Sequence, residues 1–420
     1  MSKKLNTLTL SGLIIGPILG SGIVLLPPLA YEMMGPQSIY AWLIIMALGA
    51  VFAYVFTELS IMSPGNEGVS IAIGKGLGPI FKEMASNFLI SAVCFGPIAV
   101  LMIAAEYFNG IFKNNMLSNT AIALIFLISC ALIIQRGVGF IGKLTFILSS
   151  LIGILILVGG ISSLLSLETI QFPGGFPPYQ SLGKTVLLLF WGIVGWEIVG
   201  NYVEDVENPK ITLRKSMVLS LIVITIIYLI SAFSLQNLAA TLGTNESLNM
   251  SLILQSVFGP WSSLLLGLTA SGLCICTYLM IVGGVTRLAA SKAQQGHFPK
   301  ILGKTDSNGT PINMLILMSM LHSITLLGVH MSWLNIESLV ALANAFFIGN
   351  ALLGLTAAFI LIKKVWIKVP ILILIISFTI MFLFSTKLAI LFVVSITVLS
   401  YWQAKRHQAS GTMVLKQENA

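Results

Sequence analysis

Residues 16–23 read Gly16-Pro17-Ile18-Leu19-Gly20-Ser21-Gly22-Ile23, with Pro27-Pro28 close behind, and residues 190–197 read Phe190-Trp191-Gly192-Ile193-Val194-Gly195-Trp196-Glu197. Both stretches sit in the middle of long apolar runs. In a helix interior glycine costs about 1 kcal/mol relative to alanine and proline about 3 kcal/mol, so each run predicts a helix interrupted at mid-length. In hydrocarbon every unpaired N–H or C=O costs several kcal/mol, and such a break is tolerated only where protein buries it or a wet cavity meets it. The same glycines would also let two helices pack closely. Their recurrence at corresponding places in two runs favours a binding site over a simple kink.

The runs cross a membrane. The chain has 420 residues, 57% of them hydrophobic and 9% charged, against roughly 25% charged in an ordinary soluble domain. A water-soluble fold cannot hide that much apolar surface, and no catalytic domain fits beside the spans. Apolar runs and their polar breaks predict about twelve spans, near 8–31, 37–62, 84–110, 118–135, 140–166, 184–203, 215–237, 261–288, 312–330, 335–361, 368–384 and 386–403. Only Ser385, Thr386 and Lys387 part the last two. One helix over that whole stretch would be about 54 Å long, well beyond a bilayer core of about 30 Å, so a tight turn between two spans is expected. The interrupted spans are the first and the sixth. Because five is odd, a repeat of five spans enters from the opposite face, which predicts an inverted repeat with both breaks at its interface. The chain divides into a first repeat over 8–166, a second over 184–361, two further helices over 368–403 and a tail over 404–420, all one transport domain.

Basic residues set the orientation. With the N-terminus inside, Lys3, Lys4, Lys75, Lys82, Arg136, Lys143, Lys210, Arg214, Lys215, Arg287, Lys292, Lys300, Lys304, Lys363, Lys364, Lys368, Lys405, Arg406 and Lys416 are cytoplasmic, and only Lys113, Lys184 and Lys387 are outside. Both termini are then cytoplasmic, in a cell membrane. The formal charge of +8 is spread singly between apolar runs, a topology signal rather than a nucleic-acid surface. Cys94, Cys130, Cys274 and Cys276 lie inside apolar segments and are read as packing residues. The basic start before a long apolar stretch is read as a first span rather than a removed leader. Residues 63–83 are expected to form a structured linker, and 244–260 a second one with Leu248, Leu252 and Val257 on a short interfacial helix. Asn245 and Asn249 match the N-glycosylation pattern, which matters only in a glycosylating cell.

At these residues the chain resembles the amino acid–polyamine–organocation permease family. The likeness rests on Gly20-Ser21-Gly22-Ile23, the run Phe190 to Glu197, Glu204-Asp205-Val206-Glu207-Asn208-Pro209, Arg287 with Gly296-His297-Phe298-Pro299, and Gly309-Thr310-Pro311. It runs through nearly all the spans in order. Phe95-Gly96-Pro97, Ile103-Ala104-Ala105 and Ala343-Asn344-Ala345 are similar to exporters of methionine and branched-chain amino acids, whereas Gly20-Ser21-Gly22 through Leu25-Leu26-Pro27 is equally similar to arginine–agmatine exchangers.

The resemblance implies an all-α polytopic fold like that of the leucine transporter, with five plus five inverted helices and two appended. It also implies a substrate site at Ile18, Gly20, Ser21, Gly22, Ile23, Trp191, Gly192, Val194 and Gly195, with Trp191 closing over the ligand. Ala92, Val93, Pro97 and Val100 would line the side-chain pocket, and Glu197 would couple the site to gate movement or proton transfer. That apolar lining suits a neutral amino acid, since a cationic head would need an acidic partner and only Glu197 stands at this depth. The other reading of Glu197 is a structural carboxylate bonded to N–H groups of the broken helix.

Glu58, Glu83 and Glu106 are read as interfacial residues, and His322 as hydrogen-bonded packing. Some related permeases carry a lysine in span five that stands in for sodium. Here Ser149, Ser150 and Gly153 occupy that region and Lys143 lies nearer the helix start, so proton coupling, sodium coupling and exchange stay open. No cofactor, metal or catalytic residue is expected, and the partners are an amino-acid substrate and membrane lipid. An intramembrane enzyme is the rival class, but neither Gly-x-Ser-x-Gly nor His-Glu-x-x-His occurs. A cationic exchanger, a channel or a non-transporting nutrient receptor on the same frame remain alternatives.

Overall fold

The computed structural model describes residues 4–112, 117–242 and 248–418, with side chains described through Arg406 and residue 242 excepted. Lys3, Lys113, Asn245 and the Lys416 side chain therefore fall outside the described residues. The first crossing is split into α1 (Thr7–Leu19) and α2 (Gly22–Met34), and α3 (Ser38–Met62) returns. A short α4 (Val69–Leu77) precedes α5 (Pro79–Asn109), α6 (Asn119–Ile134) and α7 (Val138–Leu165). The sixth crossing is assembled from α8 (Tyr179–Leu189), a 3-10 turn over Phe190–Ile193, α9 (Trp196–Val199) and a second 3-10 segment over Gly200–Asp205. Then follow α10 (Pro209–Leu242), α11 (Ser251–Phe258), α12 (Ser262–Gln294), α13 (Ile312–His330), α14 (Ile336–Leu361), α15 (Val365–Leu383) and α16 (Lys387–Glu418).

Among the described residues ten helical runs are long and apolar enough to cross a membrane, and one of them, Thr7–Met62, is 56 residues long. That run folds back at Gly35 and holds two crossings. With α6, whose 16 residues span about 24 Å, the described residues make the twelve passes expected. It is an all-α, multi-pass membrane protein.

Local chemistry explains the breaks. Asn6 opens α1 with a capping box, its Oδ1 accepting from the Thr9 N–H at 3.0 Å. The helix stops where Gly20 turns to φ +35°, a region that penalises any Cβ. In the sixth crossing Val194 is extended (ψ 137°) and Gly195 takes φ +130°, so the chain leaves the helix for two residues and re-enters at Trp196.

Around these breaks α5 packs along α12 and α14, while α1 lies against α7, α10 and α12. The long helices bury their small and aliphatic faces inward. Leu132, Leu151, Ile154, Ile324 and Leu391 remain among the many apolar side chains left exposed on the outside, as a lipid-facing surface requires.

Two expectations shift in detail. The second linker does hold a helix, but α11 begins after Leu248, leaves Val257 42% exposed and buries Ile253 and Leu254. Gly159 and Gly160 of α7 make room for that pair. The linker after α3 likewise contains α4. The last helix does not end near 403 but continues to Glu418. A turn at Phe384, Ser385 and Thr386 separates α15 from α16.

Candidate substrate site

The two breaks meet. A Cβ built on Gly22 would stand 3.4 Å from the Gly192 Cα, and one on Gly195 would stand 3.2 Å from Ile18 Cγ1. The glycines thus bring two unwound segments into direct contact, so close packing and interruption are served by the same residues. At their junction Trp191 Nε1–H donates to Ser21 Oγ at 3.0 Å. The pair is closed off, Trp191 being 9% and Ser21 2% exposed.

The free carbonyls of α1 have found partners that sequence reading did not single out. Tyr228 of α10 donates its hydroxyl to Ile18 O at 2.8 Å, and Thr277 Oγ1 of α12 lies 3.0 Å from Pro17 O. A Cβ on Gly22 would come within 2.5 Å of Tyr228 Oη. Gly22 is therefore held to glycine by a tyrosine as well as by any ligand. The available signal was a lone tyrosine in the apolar run Ile226-Ile227-Tyr228-Leu229-Ile230, where a phenol needs a partner.

Ala92, Val93, Pro97 and Val100 of α5 are all buried. On α5, Gly96 stands beside the Trp191 ring: a Cβ there would sit 3.7 Å from Trp191 Cη2, 3.1 Å from Ala343 Cβ and 3.9 Å from Phe347 Cε2. Gly96 thus meets the Trp191 ring and two apolar side chains of α14 at one place. Ile23 is wholly buried, and Val194 is 6% exposed at the second break.

Glu197 is fully buried in the first turn after that break. Its Oε2 accepts from the Gly195 N–H at 3.1 Å, while Oε1 has no protein partner. Asn201, four residues on, likewise has neither amide atom paired. The structural role is therefore filled by one oxygen and the other is left for a ligand, a water or a proton. Ser149 packs against the first break, its Cβ 3.4 Å from a Cβ built on Gly16, whereas Lys143 is exposed.

On the N-terminal face the chain is clasped shut. Leu5 pairs in register with Val206, its N–H donating to Asp205 O at 2.8 Å and its O accepting from Glu207 N–H at 2.9 Å. Arg287 Nη1 binds Asp205 Oδ2 at 2.7 Å, and Asn66 Nδ2 donates to Glu204 Oε2 at 2.6 Å. Two of the sequence motifs, Glu204 to Pro209 and Arg287, thus converge at one clasp. Glu106, by contrast, lines a cleft of about 350 Å³ with Leu25, Tyr107 and Asn249 near the opposite face, and is exposed as expected. Glu58 is paired with Arg214 at 2.7 Å. Glu83 departs from its expected interfacial setting. It is buried and bound at 2.6 Å to Lys292, itself only 1% exposed.

The Amino acid permease family profile matches residues 5–415. The chain belongs to the amino acid permease family. The permease is 21% identical over 372 residues to the Uncharacterized amino acid permease YecA of Bacillus subtilis, covering 87% of this chain and 86% of that one. It is 24% identical to the Cadaverine/lysine antiporter of Escherichia coli K12 over 331 residues, 75% of this chain and 72% of the antiporter. To the L-methionine/branched-chain amino acid exporter YjeH of the same organism it is 25% identical over 358 residues, 82% and 83% of the two chains.

Proposed function

We propose that this permease is a secondary carrier that moves neutral, apolar amino acids of the methionine, leucine, isoleucine and valine type by alternating access. The repeats over 8–166 and 184–361 rock about the two breaks, and both termini lie on the cytoplasmic side of the cell membrane. The unpaired N–H groups at the start of α2, at Gly22 and Ile23, take the substrate carboxylate. Carbonyls around Trp191, Gly192 and Val194 take the ammonium. Ile18, Gly20, Ser21 and Gly195 shape the floor, and Trp191 swings from Ser21 to admit and cover the ligand. Ala92, Val93, Pro97 and Val100 support the side-chain pocket.

The observation that supports the neutral substrate is the apolar setting of Gly96, whose Cβ position meets the Trp191 ring, Ala343 and Phe347. A charged head there would lose its hydration without an opposing charge. The test is reconstitution into liposomes loaded with labelled methionine or leucine, followed by efflux with and without external amino acid, sodium or a pH gradient. Saturable efflux is expected, and its absence for every neutral amino acid overturns the substrate assignment.

A second reading is favoured by one feature, the unpartnered Glu197 Oε1. It could accept an ammonium, as an exchanger of cationic amino acids or polyamines would need, and the cadaverine/lysine relative is of that kind. Counterflow of lysine or cadaverine in the same vesicles decides between the two. Glu197→Gln keeps an acceptor for the Gly195 N–H but carries no exchangeable proton charge. If Glu197 couples transport to protons, the variant loses the dependence of rate on external pH, and an unchanged profile assigns Glu197 a structural role.

A further inference from the structure

Pro97 has no N–H, so the α5 carbonyl four residues earlier, Val93 O, loses the helical bond it would otherwise accept. That oxygen is inside the protein, where an unpaired carbonyl is costly. His322 of α13 supplies the missing donor. Its Nε2 lies 2.7 Å from Val93 O, and its Nδ1 lies 2.8 Å from the Tyr278 hydroxyl of α12. A carbonyl can only accept, so Nε2 carries the hydrogen. The neutral ring then accepts at Nδ1, and Tyr278 donates. Tautomer and ring orientation are both fixed by the two neighbours. His322 is fully buried, as is its partner Tyr278, and Thr325 Oγ1 reaches the next carbonyl, Cys94 O, at 3.4 Å.

The same device occurs once more near the site. Pro28 frees Val24 O, and the Tyr107 hydroxyl stands 3.4 Å from it. What distinguishes the His322 bridge is where its two ends lead. Along α5 it holds the turn that ends in Gly96, against which the edge of the Trp191 ring rests. Along α12 it holds Tyr278, whose neighbour Thr277 bonds Pro17 O at the first break.

We propose that His322 is a positioning residue for substrate selection, which sets the bend of α5 at Pro97 and thereby the distance between Gly96 and Trp191 in the side-chain pocket. It touches no substrate and carries no transported proton. The proposal rests on the reading of Trp191 and α5 as the substrate pocket.

The test is a cycle of His322→Leu, Pro97→Ala and the double variant, with His322→Gln as a conservative fourth. Pro97→Ala restores a backbone N–H at that position, which can bond Val93 O, so the carbonyl no longer depends on the imidazole. In proteoliposomes His322→Leu is expected to raise KM for labelled leucine roughly tenfold, with maximal rate per reconstituted protein nearly unchanged. The ratio of leucine to valine KM should shift with it. His322→Gln should recover part of the loss, and the double variant should fall well short of the product of the two single effects. Independent effects that simply multiply, or a His322→Leu carrier with the original KM and selectivity, overturn the proposal. Thermal melting of the four proteins in detergent without substrate gives the same cycle independently of transport. Additive melting shifts overturn the bridge, whatever the flux. If the parent carries no neutral amino acid, the functional reading falls while the melting cycle still decides the bridge. Should His322→Leu fail to fold, His322→Gln against Pro97→Ala completes the cycle.

Discussion

Tyr228 does at the level of a single side chain what a continuous helix would have done for itself, giving Ile18 O a donor where α1 stops. Tyr228→Phe keeps the ring and its stacking on Trp42 but leaves a buried carbonyl unpaired, which costs about 1–3 kcal/mol. The expected outcome is a lower melting temperature together with weaker leucine binding, both read on purified protein. Gly22→Val should insert normally and abolish binding. The reason is sharper than an occupied carboxylate position, since the new Cβ would stand 2.5 Å from Tyr228 Oη and force the break apart. Binding at the original affinity in Gly22→Val would remove this site from consideration. Residues whose signal was local, such as Gly20, Gly195 and Glu197, were legible in sequence because a glycine or a carboxylate in an apolar run has few explanations. Tyr228 and Thr277 were not, because their importance lies in what stands opposite them on another helix.

At the scale of elements the permease is closed by joints between helices. Asp205 is carried by the segment after α9, Arg287 by α12 and Leu5 by the strand-like residues before α1. On the proposed alternating-access reading, opening the N-terminal face parts all three. Arg287→Ala should therefore favour the conformer open on that face. A cysteine placed at Ser21 in this variant is expected to react faster with a membrane-impermeant thiol reagent added from the N-terminal side, and an unchanged rate would mean the pair does not hold the gate. A second joint binds α16 to the bundle. Lys292 Nζ bonds Glu83 at 2.6 Å and Asn87 Oδ1 at 3.0 Å, and Asn87 Nδ2 reaches Ser400 Oγ at 2.9 Å. Lys292→Leu leaves Glu83 as a buried, half-compensated charge, a change that costs about 3–5 kcal/mol when one partner of a buried pair is removed. It should lower the melting temperature more than Arg214→Ala, whose pair with Glu58 is open to solvent on the arginine side, Arg214 being 44% exposed. In the sequence Glu83 and Glu58 look alike, both near span ends, because position along a span does not reveal which charge another helix will cover.

For the whole molecule, the opposed distribution of basic residues predicts that reporters fused to the two ends report the same, cytoplasmic side, and opposite sides would refute the proposed topology. Composition and spacing alone determined a good deal. Hydrocarbon leaves the backbone no partners but its own, so apolar runs long enough to cross had to be helices, and Gly–Pro clusters within them had to be breaks. That physics is one-dimensional and can be read residue by residue. The tertiary structure decided which groups complete the breaks. It set Trp191 on Ser21, Tyr228 on Ile18 and His322 on Val93, and it joined motifs more than eighty residues apart at the Asp205–Arg287 clasp. Such choices depend on the angle and depth at which separate helices pass one another. Those are fixed by packing across the bundle and have no signature in the order of residues along any single helix.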